Sequence, residues 1–160
     1  MKLFIENGMI IDGTGEKGYI GGILVENEII TAMGEIPSQE FDQIINARGM
    51  VVAPGFIDTH SHSDLQVLIN PHIEPKIRQG ITTEILGQDG ISLAPLPKKY
   101  ISPWRKNLAG LDGDSDDMNW NYENTEGYFS LMEQNGISLN EGYLVPHGNI
   151  RMAAMGLDNR

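Results

Sequence analysis

Strand and helix signals alternate along the chain from residue 50 onward, and this alternation is the strongest constraint on the fold. In order, the pattern indicates a buried strand at 51–58 that Pro-Gly interrupts, a short helix between Pro71 and Gly80, a strand at 81–86, a helix at 125–134 and a buried strand at 143–145. Neighbouring parallel strands need a crossover connection, which is usually a helix. The alternation therefore predicts parallel βα units.

Two architectures are compatible with such units in a chain of this length. A complete (β/α)₈ barrel takes roughly 250 residues, whereas this chain has 160 residues in all. Residues 51–160 have room for about three strands of such a barrel. This part of the chain is therefore either a small open sheet or the front part of a larger barrel.

The first fifty residues have a different sequence pattern, in which no helix is indicated. Short runs rich in β-branched residues are separated by Gly, Asn and Asp turn signals, at 3–5, 9–11, 23–25, 29–31 and 41–46. Such runs predict a small sheet or half of a sandwich. We therefore expect two domains, a β-strand domain at 1–50 and an α/β domain at 51–160.

Charge and composition exclude several classes of protein. The formal net charge is −11, and so acidic a surface repels nucleic-acid backbones and anionic lipid. No apolar run approaches the roughly 20 residues that span a bilayer, and Glu6 interrupts the apolar start of the chain. We therefore expect neither a nucleic-acid nor a membrane partner, and we expect a cytoplasmic protein. The absence of cysteine rules out a disulfide scaffold and thiolate metal ligands.

The pair His60 and His62 is the sharpest chemical signal. Residues i and i+2 of a strand point to the same side, so both imidazoles face one space while Ser61 points away. Two imidazoles at this spacing can bind one divalent metal ion. Asp58 and Asp64 flank the pair and can orient the rings through their free N–H groups. The alternative is that the two histidines are simply half-exposed residues at a strand end.

Two further candidates follow the later strands. Asp89 lies in the loop after the strand at 81–86, where it is either a metal ligand or an ordinary turn residue. His147 follows the strand at 143–145, so it is either an active-site residue or a loop residue that precedes a helix near Asn149. In parallel βα units the functional groups lie at such carboxyl-terminal strand ends.

Two other features receive no catalytic role. The acidic stretch beginning at Asp112 resembles the start of a calcium loop, but Asp117 stands where the sharp turn requires glycine. We therefore interpret it as a solvated acidic loop. His72, on a short helix between two prolines, is interpreted as a surface or packing residue.

Several longer motifs together resemble a known family. They are Val-Ala-Pro-Gly-Phe-Ile-Asp-Thr-His-Ser-His at 52–62, Gln-Gly-Ile-Thr-Thr at 79–83, Gly-Ile-Ser-Leu-Ala-Pro-Leu at 90–96, and His-Gly-Asn-Ile-Arg at 147–151 with Met-Gly at 155–156. The first resembles the first barrel strand of the amidohydrolase superfamily, and the set resembles the N-acyl-D-amino-acid deacylase (D-aminoacylase) family within it. The resemblance implies a small β-domain, which the rest of a longer chain completes, followed by the first βα units of an incomplete metal-dependent TIM (β/α)₈ barrel.

The same resemblance implies a zinc-dependent hydrolase that cleaves the amide bond of a small-molecule N-acyl-D-amino acid. It implies that His60 and His62 are metal ligands and that Asp89 is another, at a position where the family usually has cysteine. A carboxylate oxygen is a harder ligand than a thiolate, so the change favours Mn²⁺ as an alternative to zinc. The resemblance also implies that His147 lies beside the substrate and positions it.

We retain two alternatives to this function. One is a cyclic amidase of the dihydroorotase or hydantoinase type, and the other is a stand-alone protein that binds or assembles without catalysis. We also expect the chain to be the N-terminal portion of a longer enzyme, inactive alone because the general base and further ligands come from later strands. An unpaired strand edge near 143–145 predicts association with the remaining portion or with other copies.

Overall fold

The computed structural model of the protein describes residues 1–120 and 122–158. The chain divides into two compact units, one comprising Met1–Pro54 and the other beginning at Gly55. Among the described residues, no helix has both the length and the apolar character needed to cross a bilayer.

The first unit is a five-stranded sheet with its longest strand in the middle. The strands are β1 (Lys2–Ile10), β2 (Tyr19–Glu26), β3 (Ile29–Gly34), β4 (Gln43–Asn46) and β5 (Val51–Val52). The order is β3-β2-β1-β4, and β5 also pairs with β1. The runs at 3–5 and 9–11 belong to one strand, because a bulge with Asn7 at φ +61° carries the chain from one run to the next.

The second unit is a three-stranded parallel sheet covered by helices, which confirms the predicted parallel βα units. The sheet order is β6-β7-β8, and both pairings are parallel. Its elements are β6 (Phe56–Asp58), α1 (Gln66–Ile69), α2 (Glu74–Ile77), β7 (Ile81–Leu86), α3 (Ile101–Leu108), α4 (Thr125–Asn135), β8 (Asn140–Tyr143) and α5 (His147–Met155).

Two sequence predictions need correction, and one helix was not predicted. The strand predicted at 51–58 is two strands, because Pro54 and Gly55 separate β5 from β6. The third strand lies at Asn140–Tyr143 rather than 143–145, since the polar start of β8 pairs with 83–86 of β7. Helix α3 has no counterpart among the predicted elements, although Trp104 and Leu108, four residues apart, are both buried on it.

The core of the second unit lies on the helix-covered side of the sheet. Leu86 and Tyr128 are fully buried there, and the Tyr128 hydroxyl donates to the backbone oxygen of Asp64 at 2.7 Å. Since side chains alternate along a strand, Glu84 points to the same side as Leu86 and is also fully buried. A charged group in this layer must find a partner inside the protein.

Candidate metal centre

Three of the candidate residues meet at the carboxyl-terminal ends of β6 and β7. The Oδ2 atom of Asp89 lies 3.4 Å from Nε2 of His60 and 3.2 Å from Nε2 of His62. One ligand atom from each residue lies within 4.8 Å of the others. The two imidazole rings meet edge to face, with centroids 5.3 Å apart. Two imidazole nitrogens and a carboxylate oxygen therefore converge on one small region.

The loop after β7 carries Asp89 to this position through two left-handed residues. Gly87 has a φ of +75°, and a Cβ there would lie 2.0 Å from the Leu144 backbone oxygen, so only glycine fits. Asp89 itself has a φ of +55°, a conformation that Asp and Asn tolerate better than most residues. The backbone thus selects both the glycine and the type of residue that follows it.

Side chains tie this loop to the segment that carries the histidines. The Gln88 side-chain amide donates to the backbone oxygens of Thr59, at 2.9 Å, and Ile85, at 3.0 Å. The Gly87 amide donates to Oδ1 of Asp64 at 3.2 Å. These hydrogen bonds join residues 87 and 88, which precede Asp89, to Thr59 and Asp64, which flank the histidine pair.

Asp58 and Asp64 do not orient the imidazole rings, contrary to the prediction from their flanking positions. Within the described parts of the chain, neither carboxylate is hydrogen-bonded to an imidazole ring. Asp58 accepts from the backbone N–H of His60 at 3.2 Å and from the Lys76 ammonium at 2.9 Å. Asp64 is buried and accepts from the Ser92 hydroxyl. Both point away from the rings because their partners lie on the buried side of the chain.

Burial governs the electrostatics of Asp64. Desolvation raises its pKa to about 6, although hydrogen bonds from Ser92 and Gly87 act in the opposite direction. Asp64 therefore contributes mainly as an acceptor that anchors the loops around the cluster.

A buried ionic cluster lies directly beneath the histidine pair. The Lys76 ammonium donates to Asp58, to the Ser61 hydroxyl at 2.5 Å and to Glu84. The hydrogen bond from Lys76 holds the pKa of Asp58 below its usual range. Burial acts to lower the pKa of Lys76, but its hydrogen bonds to Glu84 and Asp58 outweigh burial and raise it. The Lys76 ammonium therefore forms ion pairs with both carboxyl groups, and the Ser61 hydroxyl joins them through hydrogen bonds.

Sequence reasoning assigned no role to Lys76, Glu84 or Gln88. A signal existed for Glu84, since it precedes the apolar Ile85 and Leu86 in a predicted parallel strand, and a carboxylate buried in such a strand requires a partner. Two cations precede it closely in sequence, Lys76 and Arg78, and the structure pairs Glu84 with Lys76. For Gln88 there was no such signal, because a glutamine beside an aspartate in a loop is compatible with ordinary surface structure.

His147 lies near the cluster but is not one of its members. It is the first residue of α5 and is exposed. A Cβ at Gly90 would be 3.6 Å from the Cβ of His147, so the histidine borders the loop that carries Asp89. His72 lies elsewhere and faces the Ser138 hydroxyl, with 3.3 Å between Nδ1 and Oγ.

The acidic stretch after α3 is solvent-exposed at Asp114, Asp116 and Asp117, as the sequence predicts, but its first residue is not. Asp112 is buried and accepts from the backbone N–H of Leu65. Desolvation raises its pKa to about 7. Asp114 and Asp116 both pair with Arg105, at 2.7 and 2.6 Å. The stretch therefore has a structural function, in which it supports the segment that follows the histidine pair.

Comparisons with known proteins identify the class to which this fold and histidine pair belong. The profile of the Amidohydrolase family matches residues 43–128, and the chain belongs to that family. Within it, the chain is 38% identical over 156 residues to an N-acyl-D-glutamate deacylase, and 33% identical over 153 residues to a D-aminoacylase, both from Alcaligenes xylosoxydans xylosoxydans. These alignments cover 97% and 96% of this chain, and 30% of each relative. The expected resemblance to the D-aminoacylase family is thereby confirmed.

A solved structure extends the similarity to the fold. The crystal structure of an N-acyl-D-glutamate deacylase from Bordetella bronchiseptica, complexed with zinc and a phosphonate inhibitor, matches with a TM-score of 0.81 and 35% identity. The match covers 96% of this chain and 31% of that one. The chain therefore has the small β-sheet domain and the first part of the amidohydrolase TIM barrel, and it spans about a third of its relatives' length.

Proposed function

We propose that the protein is a metal-dependent hydrolase that cleaves the amide bond of N-acyl-D-amino acids and releases a carboxylate and a free amine. The observation that carries this proposal is the convergence of His60, His62 and Asp89 at the carboxyl-terminal strand ends, where functional groups lie in a barrel of this type. The similarity to deacylases over almost the whole chain supports the substrate class. It also disfavours a cyclic amidase of the dihydroorotase or hydantoinase type.

His60, His62 and Asp89 are the residues that we propose as metal ligands. Their donor atoms fit a zinc ion, which binds imidazole nitrogen and carboxylate oxygen, and their mutual distances of 4.8 Å or less allow one ion to reach all three. The carboxylate in place of a thiolate also makes Mn²⁺ an acceptable ion. When bound, such a metal supplies a Lewis acid and a water of lowered pKa.

The chain's own residues orient the reacting groups around that position. His60 and His62 present their Nε2 atoms to the shared space, and Gln88 holds the Asp89 loop against the histidine segment. We assign His147 a positioning role towards the substrate, because it is exposed and borders the Asp89 loop. We do not propose any of the three metal ligands, His60, His62 and Asp89, as the general base.

The substrate proposal is tested by the handedness and the metal dependence of hydrolysis. The assay uses the longer enzyme of which this chain is expected to be the N-terminal portion, because the 160-residue chain is expected to be inactive alone. Hydrolysis of N-acetyl-D-glutamate and of its L-enantiomer is measured before and after treatment with a chelator. We expect hydrolysis of the D-form, loss of that activity on chelation, and recovery on adding zinc. Equal rates on both enantiomers, or full activity after chelation, would contradict the proposal, and turnover of dihydroorotate or hydantoin would favour the cyclic amidase.

The role of Asp89 is tested by Asp89→Asn. Because Asn tolerates a positive φ as Asp does, this change removes the charge with little effect on the backbone. A ligand role predicts a fall in zinc affinity of at least about tenfold, measured by competition with a chromophoric chelator. The control is Asp117→Asn, an exposed aspartate outside the cluster. Unchanged zinc affinity in Asp89→Asn would identify Asp89 as a turn residue.

We also propose that the chain associates through the edge of its parallel sheet. β8 is an edge strand of the three-stranded sheet, and the next residues, Leu144 and Val145, are 50% and 65% exposed. Unpaired strand edges with apolar neighbours promote association. We expect light scattering to detect dimers or larger species at micromolar concentration, and a strictly monomeric chain would count against this proposal.

A further inference from the structure

The segment that carries both histidines lies beyond the end of a regular strand. β6 ends at Asp58, and the following residues are outside the ladder. A backbone bond from Ser61 N to Ile85 O, at 3.3 Å, joins this segment to β7. Side-chain contacts therefore have a large share in fixing where His60 and His62 point.

One cation contacts the residues on both sides of His60. The Lys76 ammonium donates to Oδ2 of Asp58 at 2.9 Å and to Oγ of Ser61 at 2.5 Å. Oδ1 of the same Asp58 accepts from the backbone N–H of His60 at 3.2 Å. Lys76 is thus linked to the main chain at His60 through Asp58, two residues before it, and through Ser61, the residue after it.

Glu84 fixes the direction of the bonds at Ser61. A carboxylate can only accept, so the Ser61 hydroxyl donates its proton to Glu84, at 2.6 Å. The oxygen of Ser61 then accepts from Lys76 and from the backbone N–H of Ser63, at 3.3 Å. The Ser61 side chain is thus turned towards this cluster, whereas the imidazoles of His60 and His62 contact Asp89.

We propose that Lys76 is a positioning residue for the metal centre. Its ammonium fixes Asp58 and Ser61 and thereby holds His60 and His62 at the spacing that one metal ion requires. Groups that orient ligands from outside the coordination sphere typically change metal affinity by 10–100-fold. This inference rests on the proposed role of the two histidines as ligands.

The test must separate positioning from simple support of the fold. Lys76→Met alone leaves Glu84 buried without its cation and can unfold the protein. The test variant is therefore the double substitution Lys76→Met with Glu84→Met, which removes both charges and retains side-chain volume. The matched control is Lys98→Met with Glu123→Met, which removes an ion pair that is exposed and 3.9 Å long. Zinc affinity is measured by chelator competition, and folding by urea denaturation.

We expect the double variant at 76 and 84 to unfold at a urea concentration close to that of the wild type, but to bind zinc roughly 10–100-fold more weakly. The control should bind zinc as the wild type does. Zinc affinity within twofold of the wild type in the folded double variant would overturn the inference. If that variant does not fold, Ser61→Ala decides, since a positioning role predicts weaker zinc binding there and an unchanged affinity refutes it.

The wild-type measurement distinguishes failure of this inference from failure of the proposed metal centre. If the wild type binds zinc and His60→Ala abolishes that binding, the centre stands, and the double variant then tests only the positioning of the histidines by the Lys76–Glu84 pair. If the wild type binds no zinc, or if His60→Ala binds as tightly as the wild type, the centre and the inference both fail.

Discussion

Glu141 is a half-buried acid with buried carboxylate oxygens, and its ionisation should destabilise the folded protein. It is paired in register with Glu84 across β7 and β8, and within residues 1–120 and 122–158 neither of its carboxylate oxygens has a hydrogen-bond partner. Burial, and then the negative charge of Glu84, raise its pKa from 4.5 to about 9, against the opposing effect of Lys76. Asp64 adds a smaller effect in the same direction as Glu84. The folded protein therefore retains a proton at neutral pH that the unfolded chain releases.

The sign and size of the effect follow from this difference in proton binding. Below pH 4.5 the carboxyl is protonated in both states, so it adds no pH-dependent cost. As the pH rises towards about 9, unfolding releases the proton and becomes progressively more favourable. At pH 7 the ceiling on this cost is about 3.4 kcal/mol. Glu141 is partly exposed, and solvent screening reduces the figure to about 1–2 kcal/mol.

The substitution Glu141→Gln should remove that cost, since it abolishes ionisation and retains the shape of the side chain. We expect urea denaturation to show a gain of about 1–2 kcal/mol at pH 7 and almost none at pH 4.5. Glu133→Gln, at an exposed position of α4, is the control and should change stability little at either pH. A gain of equal size at both pH values, or a loss at pH 7, would refute the reasoning.

Asn149→Ala should lower the free energy of unfolding by about 3 kcal/mol in urea denaturation, because it removes three hydrogen bonds to the buried segment 92–95; a loss under about 1 kcal/mol would contradict this. Gly87→Ala, which brings a Cβ 2.0 Å from Leu144 O, should cost more than about 2 kcal/mol by the same assay. Gly113→Ala, also at positive φ but without such a clash, should cost only about 1 kcal/mol, and equal losses would exclude the clash as the cause. Zinc at a hundred times its Kd should stabilise the protein by about 2.7 kcal/mol, and an unshifted melting temperature would count against the metal centre.

Periodicity predicted the fold well where apolar residues marked the elements. The strand at 81–86 and the helix that begins at Thr125 were both placed from such patterns, and the structure has them as β7 and α4. The start of β8 was missed because Asn140 and Glu141 are polar, and the burial of Glu141 follows from the tertiary structure. Helix α3 was missed since its two buried residues stand among polar ones. The local sequence does not indicate that Glu141 is shielded from solvent or that these two residues of α3 belong to the core.

The candidate site was predictable in its members but not in its supports. His60, His62 and Asp89 could be grouped because each follows a predicted parallel strand, and parallel strands present the same ends at one edge. The partners of Asp58 and Asp64 could not be predicted in this way. Their contacts with Lys76 and Ser92 join residues 18 and 28 positions apart through the packing of helices and loops on the sheet.

The ionic cluster around Lys76 also constrains the order in which a lineage can change these residues. If Glu84 becomes neutral first, Lys76 keeps Asp58 as a partner at 2.9 Å, and the intermediate retains a compensated charge. If Lys76 is lost first, Glu84 remains fully buried with no cation beside it, an intermediate that selection for folding would remove. In related sequences, substitution of Glu84 should therefore precede substitution of Lys76. Positions 61, 76 and 84 should change together rather than independently.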